Sequence, residues 1–469
     1  MSMPPGPSLP PLLQTLSFVA APVGWGTGLW KRYGDVYTVR DAVFGTQVLI
    51  ADPELVRQIF TGDPAVYHAG EANRALLMLL GDRSVLLLDG PEHLRQRRLL
   101  LPPFHGERMT AYAGIMQTIA ERAIDRWREG ETFSLHPTMQ KVTLDIILHT
   151  VFGLERGPRH DELSARLTTL FDRVQSPLGM LMMIPALQRD LGRLSPWAGF
   201  LRDRAAADAV LYAEIAERRA ELAAPPSTAR PRRDDVLSLL LEARDEQGEG
   251  LTDKDLRDEL MTLLAAGHET TATAVCWAFE RILDHPAIEV RLRAEIEAVA
   301  PGRPLTPEDL PRLEYLDATI KEVLRLRPVI PGVGRKLTAP IKLGRWDIPA
   351  GTLVVPSIYR IHRREDLYPD AERFDPDRFL GKKTDPYTFF PFGGGVRRCI
   401  GMAFALQEMK IVIAAVLRRS RLRLPRRGPL GVQLRSFVFA PKGGPKVVFE
   451  RRLDALSCSR PPPPPAAPS

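Results

Sequence analysis

The stretch Asp253–Asp284 constrains the fold more than any other part of this chain. It is apolar almost all round between residues 260 and 279, a pattern typical of a helix that is buried on every side. Thr252 and Asp255 have the spacing of a capping box at its start, and His285-Pro286 predicts its end. At about 1.5 Å per residue such a helix is roughly 45 Å long, so we expect it to cross one large domain.

Helical periodicity covers most of the remaining chain, whereas strand patterns are few and short. We predict further helices over residues 53–60, 109–127, 142–152, 162–174, 196–222, 288–299, 316–326 and 401–417. Strands are expected in a hairpin over 36–50 around Gly45, in the stretch 332–356, and near 432–438 and 446–449. The expected fold class is mainly α with a smaller, segregated β part.

The two ends of the chain and one internal stretch have compositions that do not predict packed elements. Residues 1–11 are proline-rich and expected to be flexible, and the proline-rich tail 453–469 is expected to be disordered. Residues 223–234 contain three prolines and several arginines, which predicts an exposed loop between two helices. We therefore expect a single domain over residues 12–452.

Charge and cysteine content argue against several classes of protein. The net charge of +7 is modest for 469 residues, and the chain has no dense run of Lys and Arg with interleaved aromatic residues, so nucleic-acid binding is not expected. The three cysteines, Cys276, Cys399 and Cys458, are far apart, which argues against a disulfide framework and favours a reducing compartment. Prolines and glycines interrupt the apolar stretch 12–30. We therefore expect neither an integral membrane segment nor a signal peptide, and we predict a cytoplasmic protein.

Polar residues interrupt the long buried helix in its middle, at Ala266-Gly267-His268-Glu269-Thr270-Thr271. Glycine costs about 1 kcal/mol against alanine inside a helix, and a buried carboxylate costs more unless it is paired. Two interpretations follow. These residues face a solvated groove or satisfy one another, or they form a site where the backbone approaches a flat ligand and an acid and an alcohol handle protons.

The segment Phe392-Gly393-Gly394-Gly395-Val396-Arg397-Arg398-Cys399-Ile400-Gly401 carries the strongest chemical signal. A lone cysteine is most often a small buried apolar residue. Here, however, consecutive glycines permit a tight loop, and the cysteine lies at the start of a predicted helix, whose N-terminus lowers the pKa of a thiol. Arg397 and Arg398 offer cationic partners for carboxylates. A thiolate held in this way suits a redox metal, and because no second cysteine or histidine is nearby, the remaining ligands would come from a porphyrin.

This loop resembles the haem-binding loop of the cytochrome P450 family, whose pattern is FxxGxRxCxG, and every fixed position is present. The resemblance extends from about residue 4 to residue 449. It implies a single triangular domain, α-rich with a small β part, that binds haem b. It further implies that Cys399 is the axial ligand of the haem iron and that Phe392 contacts the haem.

A second motif of the family lies upstream of this loop, on a predicted helix. Glu322 and Arg325 form an ExxR pair on one helix face. The resemblance places this pair beneath the haem, as a brace that shapes the cysteine loop. It assigns to Arg373 the role of locking the pair, although Ala371 stands where the family usually has proline.

The polar stretch of the long helix resembles the oxygen-activation groove of the family. The resemblance places Ala266 and Gly267 beside the haem, with Gly267 letting the helix backbone open. It gives Glu269 and Thr270 the roles of acid and alcohol: Thr270 would hydrogen-bond to the oxygen being activated, and Glu269 would relay protons from solvent. The residues expected to contact the haem propionates, by the same resemblance, are His93, Arg97, Arg335 and Arg397.

The resemblance implies an O2-dependent monooxygenase that hydroxylates or epoxidises a lipophilic small molecule, such as a fatty acid, terpenoid, steroid or polyketide. The stretch around His93 is similar to a bacterial subgroup with lipid and terpenoid users. Electrons are expected from a ferredoxin with its reductase or from a flavodoxin, because no flavin or iron–sulfur segment remains outside the haem domain. Two alternatives stay open: a peroxide-driven or isomerising haem-thiolate enzyme, which often lacks the acid–alcohol pair, and a haem sensor without turnover.

Two sets of residues are expected to serve the substrate and the redox partner. By the same resemblance, the segments that would line an apolar substrate pocket are 75–80, 178–184, 329–333 and 437–439, although core packing explains the first two equally well. The second set consists of basic residues, and each of them could instead be a solvated surface charge. The basic residues that could form a docking face for an acidic electron donor are Arg95, Arg98, Arg398, Lys410, Arg418 and Arg419.

Overall fold

The long helix is present with its predicted ends. The structure is a computed structural model that describes residues 2–176, 195–224 and 233–453 and the isolated positions 179, 182, 188–190 and 192. The helices of this part are α1 (Pro11–Ala20), α2 (Pro22–Tyr33), α3 (Pro53–Thr61), α4 (Ala69–Ala72), α5 (Leu77–Leu80), α6 (Gly90–Leu100), α7 (Glu107–Ile124), α8 (Leu135–Phe152), α9 (Pro158–Gln175), α10 (Pro196–Ala223), α11 (Val236–Glu242), α12 (Asp253–Asp284), α13 (Pro286–Val299), α14 (Glu314–Leu326), α15 (Ile358–Ile361) and α16 (Met402–Arg419). The strands are β1 (Val36–Asp41), β2 (Gly45–Ile50), β3 (Tyr67–His68), β4 (Thr132–Ser134), β5 (Arg335–Leu337), β6 (Ile341–Leu343), β7 (Trp346–Ile348), β8 (Leu353–Pro356), β9 (Ser420–Arg423), β10 (Val432–Arg435), β11 (Val438–Pro441) and β12 (Lys446–Arg452). Helices dominate and the strands form smaller sheets, which confirms the predicted fold class.

Helix α12 forms the centre of the core. Its N-cap Thr252 accepts a hydrogen bond from the Asp255 amide at 3.1 Å, and the Thr252 amide donates to the Asp255 carboxylate at 3.0 Å, so the predicted capping box is present. Helices α8, α10, α14 and α16 pack against it. Trp277 is fully buried and donates from Nε1 to the Phe439 carbonyl oxygen at 2.8 Å, which ties the helix to strand β11.

The other predicted helices are present, and several begin earlier than their apolar pattern indicated. Helix α8 begins at Leu135 rather than at 142, because Pro137 lies in its first turn, where the amide N–H it lacks would have no partner within the helix. In α9 and α13, a proline is the first residue of the helix. These prolines start helices, so the periodic pattern alone underestimates the helix lengths.

The main sheet combines strands from both halves of the chain. Its order is β1-β2-β8-β5-β3, and β1 and β2 pair as the predicted antiparallel hairpin, from Val36 opposite Ile50 to Asp41 opposite Gly45. Strand β8 runs parallel to β2 and antiparallel to β5. This pairing holds Arg335, the first residue of β5, in the protein interior.

Strand structure is present near 432–438, as predicted, but the first strand ends at Arg435 and an unpredicted turn follows. This stretch contains the turn of a hairpin between β10 and β11, in which Leu434 lies opposite Phe439. Ser436 adopts a positive φ of 55° in the turn, a conformation that residues other than glycine rarely take. The sequence conceals this turn, because neither Gly, Pro, Asn nor Asp occurs within 432–438.

The N-terminal region is helical, which its prolines and glycines did not predict. Helices α1 and α2 both begin with proline, a residue favoured at the first helical position. The preceding segment is packed as well, since Pro4 is buried and the Thr38 amide donates to the Pro5 carbonyl oxygen at 2.8 Å. Most of the loop predicted at 223–234 and nearly all of the tail predicted at 453–469 lie outside the described residues. Among the described helices, none combines the length and apolar content needed to cross a bilayer.

Candidate functional site

The cysteine loop is a tight turn whose shape depends on its glycines. The Cys399 amide donates to the Phe392 carbonyl oxygen at 3.0 Å and closes the loop. Gly395 has a positive φ of 64°, and a Cβ at this position would lie 2.3 Å from the Phe60 carbonyl oxygen of α3. A side chain at position 395 is therefore excluded by the backbone conformation and by the neighbouring helix.

The Cys399 thiol lies just before α16 begins. The Gly401 amide donates to its sulfur, and the guanidinium groups of Arg97 and Arg398 are close enough to favour the thiolate. Burial nevertheless raises the pKa of the Cys399 thiol, and these groups offset only part of the increase. Solvent still reaches the residue although protein atoms surround it, so the cysteine borders a space inside the protein.

Three of the predicted propionate-binding residues line one pocket. His93, Arg335 and Arg397 surround it together with Asp89. Burial and the charges of Arg397, Arg97 and Arg335 lower the pKa of His93 to about 3. Asp89, which the sequence did not single out, pairs with Arg397 and is the one carboxylate lining this pocket among the described residues. The cluster therefore carries an excess of positive charge and suits a ligand with carboxylate groups.

One face of α12 also borders open space. Leu263, Ala266, Gly267 and Thr270 follow the spacing i, i+3, i+4, i+7, which places them on one side of the helix. All four are partly or fully accessible, whereas most other residues of this helix are buried. Thr270 donates from Oγ1 to the Ala266 carbonyl oxygen at 2.5 Å, so the lone pairs of its oxygen remain free to accept a hydrogen bond.

The surroundings of Gly267 differ from the predicted ones. A Cβ at this position would lie 2.4 Å from Cδ1 of Ile147, which belongs to α8. Helix α12 runs without interruption through this stretch, and the predicted opening of its backbone is not seen. The absence of a side chain therefore lets α8 and α12 approach each other closely.

Glu269 is turned toward a cluster of polar side chains rather than toward Thr270. Consecutive residues of a helix point about 100° apart. Glu269 accepts a hydrogen bond from Gln140 at 2.7 Å, and its carboxylate lies 3.2 Å from Nε2 of His136 and 3.8 Å from Nε of Arg435. Burial raises the pKa of Glu269, but these three partners outweigh burial and the pKa is lowered overall. The carboxylate is therefore ionised at neutral pH.

The ExxR pair is fully buried in a hydrogen-bond network. Arg325 donates to the two carboxylate oxygens of Glu322 at 2.6 and 2.7 Å. It also donates to the carbonyl oxygens of His362 and Ala371, both at 2.7 Å, and of Arg373 at 3.2 Å. Because a guanidinium has five N–H groups, this buried charge is both paired and fully hydrogen-bonded.

His362 connects this network to the cysteine loop. Its carbonyl oxygen accepts from Arg325, and its Nε2 accepts a hydrogen bond from the Phe390 amide at 3.1 Å. Burial, together with the charges of Arg325 and Arg363, lowers the pKa of His362 to about 3, so the ring is neutral with its proton on Nδ1. Phe390 lies two residues before Phe392, where the loop closes, so the buried pair supports the loop through this histidine.

The prediction that Arg373 locks the ExxR pair is wrong. The Arg373 residue is exposed, and only its backbone oxygen reaches Arg325. Arg378 takes its place, with Nε 3.5 Å from Oε1 of Glu322 and a largely buried side chain. The sequence signal for this residue is Pro376, two positions before it, which is the proline that the family pattern requires and that Ala371 does not provide.

Two of the predicted pocket-lining segments lie side by side. The Phe439 amide donates to the Val329 carbonyl oxygen at 2.8 Å, and both side chains are buried. Segment 75–80 forms a short 3-10 turn and α5, with Leu77 exposed and residues 78–80 buried. Segment 178–184 lies outside the described residues except for positions 179 and 182.

Most of the predicted docking residues have acidic partners. Four ion pairs include them: Arg95 with Asp245 at 2.5 Å, Arg98 with Glu246 at 2.7 Å, Lys410 with Asp317 at 2.7 Å, and Arg419 with Asp125 at 2.8 Å. Arg398 donates instead to the sulfur of Met402 at 3.0 Å and is exposed next to Cys399. It is therefore better placed than the paired residues to meet an acidic partner near the cysteine.

The residues present fit a haem whose iron is bound by the cysteine. Among the described residues, no group of three or more His, Cys, Asp or Glu could hold a metal ion. The half-buried guanidinium of Arg97, close to both Cys399 and His93, forms neither a hydrogen bond nor an ion pair within the described part of the chain. The two propionates of a haem would supply the anions that this cationic cluster lacks.

Known proteins are similar to this chain along almost its whole length. A family model described as Cytochrome P450 matches residues 4–446. A protein of Mycobacterium tuberculosis that carries the name cytochrome P450 135B1 is 40% identical over 461 residues, which cover 98% of this chain and 94% of that protein. A second protein of this organism, with the name cytochrome P450 138, is 39% identical over 451 residues, which cover 96% of this chain and 97% of that protein.

Solved structures share the fold at the same coverage. The retinoic-acid-bound cyanobacterial CYP120A1 has a TM-score of 0.82 and 28% sequence identity, over 96% of this chain and 100% of that chain. The haem domain of cytochrome P450DA has a TM-score of 0.82 and 25% identity, over 97% of this chain and 100% of that chain.

Proposed function

The chain belongs to the cytochrome P450 family and is a monooxygenase that carries haem b, and we propose that it hydroxylates or epoxidises an apolar fatty acid, terpenoid, steroid or polyketide. When bound, the haem supplies the iron chemistry that transfers one atom of O2 to the substrate and releases the other as water, with two electrons and two protons. The observation that carries the proposal is the environment of the Cys399 sulfur. This sulfur accepts a hydrogen bond from the Gly401 amide, and it lies near a pocket whose lining contains more positively than negatively charged side chains.

We assign the binding of the haem to the residues that surround this sulfur. Cys399 would bind the iron, and the Gly401 amide with the Arg97 and Arg398 charges would stabilise its thiolate form. The accessible face of α12 would lie beside the porphyrin. The remaining residues assigned to haem binding are His93, Arg97, Ala266, Gly267, Arg335, Phe392 and Arg397.

Proton delivery is assigned to Thr270 and Glu269. The hydroxyl proton of Thr270 is committed to the Ala266 carbonyl, so its oxygen would accept a hydrogen bond from a water or a protonated oxygen in the cavity. Glu269 would have to leave His136 and Gln140 and turn toward Thr270 before it could pass on a proton. Arg435 is partly exposed and therefore connects this cluster to solvent.

Replacing Thr270 by alanine is expected to uncouple the reaction. Without the hydroxyl, protons reach the reduced oxygen less specifically, so NADPH oxidation continues while the yield of product per NADPH falls roughly tenfold or more and hydrogen peroxide rises. Product, peroxide and NADPH are measured together on the reconstituted enzyme. The matched control is Thr118→Ala, because Thr118 makes the same bond to the residue four positions earlier, Gly114, on the exposed surface of α7. Full coupling in the Thr270 variant would contradict its assigned role.

The substrate class is the part of the proposal that needs a direct test. The adjacent Val329 and Phe439 and the leucines of α5 would give the pocket an apolar wall. The solved relative that binds retinoic acid supports apolar chains with a carboxylate end as the first compounds to examine.

Retinoic acid or a long-chain fatty acid is expected to shift the haem absorption band of the holoprotein with saturation in the range of roughly 1–100 μM. Each compound that binds is then incubated with NADPH, a ferredoxin and its reductase, and the products are identified by mass spectrometry. A disaccharide serves as the polar control and should leave the band unchanged. Saturable binding of the disaccharide, with no response to either apolar compound, would contradict the proposed substrate class.

The external electron donor is proposed to be a ferredoxin or a flavodoxin in the reducing cytoplasm. Both described cysteines, Cys276 and Cys399, are free thiols, which suits that compartment. Arg398 is exposed beside Cys399 and would contact the acidic surface of such a donor.

A further inference from the structure

The net positive charge of the chain comes from two short segments near its C-terminus. Residues 418–427 contain six arginines and residues 451–452 contain two more, and neither segment contains an acidic residue. Because the whole chain carries a net charge of +7, all the other residues together carry −1. Whether this charge forms one surface depends on how the two segments pack.

The fold brings the two segments together. Strand β9 begins directly after α16 and pairs with β12, which places Arg421 opposite Arg451. Residues opposite each other on neighbouring strands lie close together on one face of the sheet, where like charges repel. The arginines that meet here form a surface that we call the C-terminal basic face: Arg418, Arg419, Arg421, Arg423, Arg426, Arg427, Arg451 and Arg452.

Acidic residues of the described chain neutralise only part of this face. Asp125 is shared between two of its members, since it pairs with both Arg419 and Arg452, at 2.8 and 2.7 Å. Three other members are exposed and form neither an ion pair nor a side-chain hydrogen bond with another described residue: Arg426, Arg427 and Arg451. A guanidinium presents its N–H groups in a planar fork that matches a carboxylate or a phosphate, so the face suits an anionic partner.

A cleft opens at the edge of the C-terminal basic face, between α7, α16, the end of β12 and the loop that follows α13. Its volume is about 280 Å³. Its lining includes the apolar residues Leu305, Ile411, Ala415 and Leu453 and the basic residues Arg303, Arg418, Arg419 and Arg452. A cavity of roughly 150 Å³ holds a benzene molecule, so this cleft has room for one large apolar side chain.

Acidic residues that follow α7 border the same face. Asp125, Glu129 and Glu131 are exposed there, and the Glu129 carboxylate accepts a hydrogen bond from the Arg452 amide at 2.8 Å. These carboxylates would repel a uniformly anionic surface, such as a DNA duplex or an anionic lipid bilayer. A protein can instead present charges of both signs in a complementary pattern, so a protein partner fits this arrangement better.

We propose that the C-terminal basic face and its cleft bind an acidic segment of a partner protein. The carboxylates of this segment contact the unpaired arginines, and one large apolar side chain occupies the cleft. Aromatic side chains that fill pockets dominate the affinity of many protein interfaces, whereas surface charges set the rate of encounter and the specificity.

This partner is distinct from the electron donor. Arg418 and Arg419, which the sequence predicted as part of the donor's docking face, are the last residues of α16, whereas Cys399 lies just before its first residue. A helix of 18 residues is roughly 27 Å long, so the C-terminal basic face lies at the opposite end of α16 from the surface around Arg398. The proposed contact therefore goes beyond the delivery of electrons and does not depend on the substrate.

The test is fluorescence anisotropy of labelled peptides titrated with the full-length holoprotein. The first peptide has four glutamates on each side of one tryptophan, and the second has serine in place of the tryptophan. The first peptide is expected to bind saturably, more weakly as salt is raised, and roughly tenfold more tightly than the second. The variant Ala415→Leu, which narrows the cleft, is expected to remove most of the difference between the two peptides.

A triple variant tests the unpaired arginines of the face. Arg426→Gln, Arg427→Gln, Arg451→Gln is expected to bind the first peptide roughly tenfold more weakly, while turnover with a ferredoxin and its reductase stays unchanged. The matched control removes three exposed basic residues of other surfaces that likewise form no ion pair among the described residues: Arg202→Gln, Lys382→Gln, Lys383→Gln. This control is expected to bind the first peptide like the unmodified protein.

Several results would overturn the proposal. These are no saturable binding of the first peptide, equal binding of the two peptides, equal weakening by the control variant, or tighter binding to a short DNA duplex or to phosphatidylserine vesicles that the triple arginine variant abolishes. Loss of ferredoxin-supported turnover in the triple arginine variant would assign the face to the electron donor instead. Thermal unfolding of each variant shows whether the substitutions leave the fold intact.

Discussion

Replacing Cys399 by serine is expected to abolish the thiolate-type absorption band of the reduced, carbon-monoxide-treated protein, and to reduce product formation to the level without enzyme. The Gly401 amide and the Arg97 and Arg398 charges stabilise a negative sulfur at this position. A serine hydroxyl stays protonated at neutral pH and cannot replace the electron-donating thiolate. The measurement is the difference spectrum of purified protein at equal protein concentration, followed by turnover with the redox partner proteins.

The control for this experiment is Cys276→Ala. Cys276 is the other cysteine in the described part of the chain and is buried in α12, where burial raises the pKa of its thiol well above the usual range. Its removal is expected to leave the thiolate-type band in place. An unchanged spectrum in the Cys399 variant, or loss of the band in the Cys276 variant with the fold intact, would contradict the assignment of Cys399 as the iron ligand.

Replacing Arg325 by alanine is expected to prevent the protein from accumulating as a folded holoprotein. The substitution leaves the Glu322 carboxylate buried without its main partner and leaves three backbone carbonyl oxygens without a donor. Removing one member of a buried ion pair costs about 3–5 kcal/mol, against a total stability of about 5–15 kcal/mol for a typical domain. The support that reaches the cysteine loop through His362 is lost at the same time. Haem content per protein and thermal unfolding of any soluble fraction measure the effect.

A graded series tests which arginines belong to this brace. Arg378→Ala is expected to have a smaller effect in the same direction, because its Nε lies 3.5 Å from the Glu322 carboxylate and does not supply the main hydrogen bonds. Arg373→Ala keeps the backbone oxygen that Arg325 uses and is expected to behave like the unmodified protein. The exposed pair of Arg423 with Glu450 provides a surface control, for which a change within about 1 kcal/mol is expected. A larger loss in the Arg373 variant than in the Arg378 variant would restore the role predicted from the sequence.

The sequence by itself determined the features that depend on neighbouring residues. The ends of α12 follow from a capping box and a His-Pro pair, and both are local. The glycines around Cys399 and the i, i+3 spacing of Glu322 and Arg325 are equally local, because φ preferences and helix geometry act over a few residues. For this reason the order of the residues along the chain was enough to predict the central helix, the tight loop and the contact of Glu322 with Arg325, whereas the role of that pair as a brace was implied by the family resemblance.

The tertiary structure alone decided which side chains meet. Pro376 marks Arg378 in the sequence, but only the way the segment after α15 folds back onto α14 shows that the side chain of Arg378, and not that of Arg373, reaches Glu322. Glu269 and Thr270 are adjacent in sequence but face different neighbours, because His136 and Arg435 come from α8 and β10. Helix α1 buries Gln14, which accepts a hydrogen bond from the Arg40 amide of β1, and leaves Leu12, Leu13 and Leu16 exposed. These outcomes rest on contacts between residues far apart in the chain, and patterns read from neighbouring residues do not contain them.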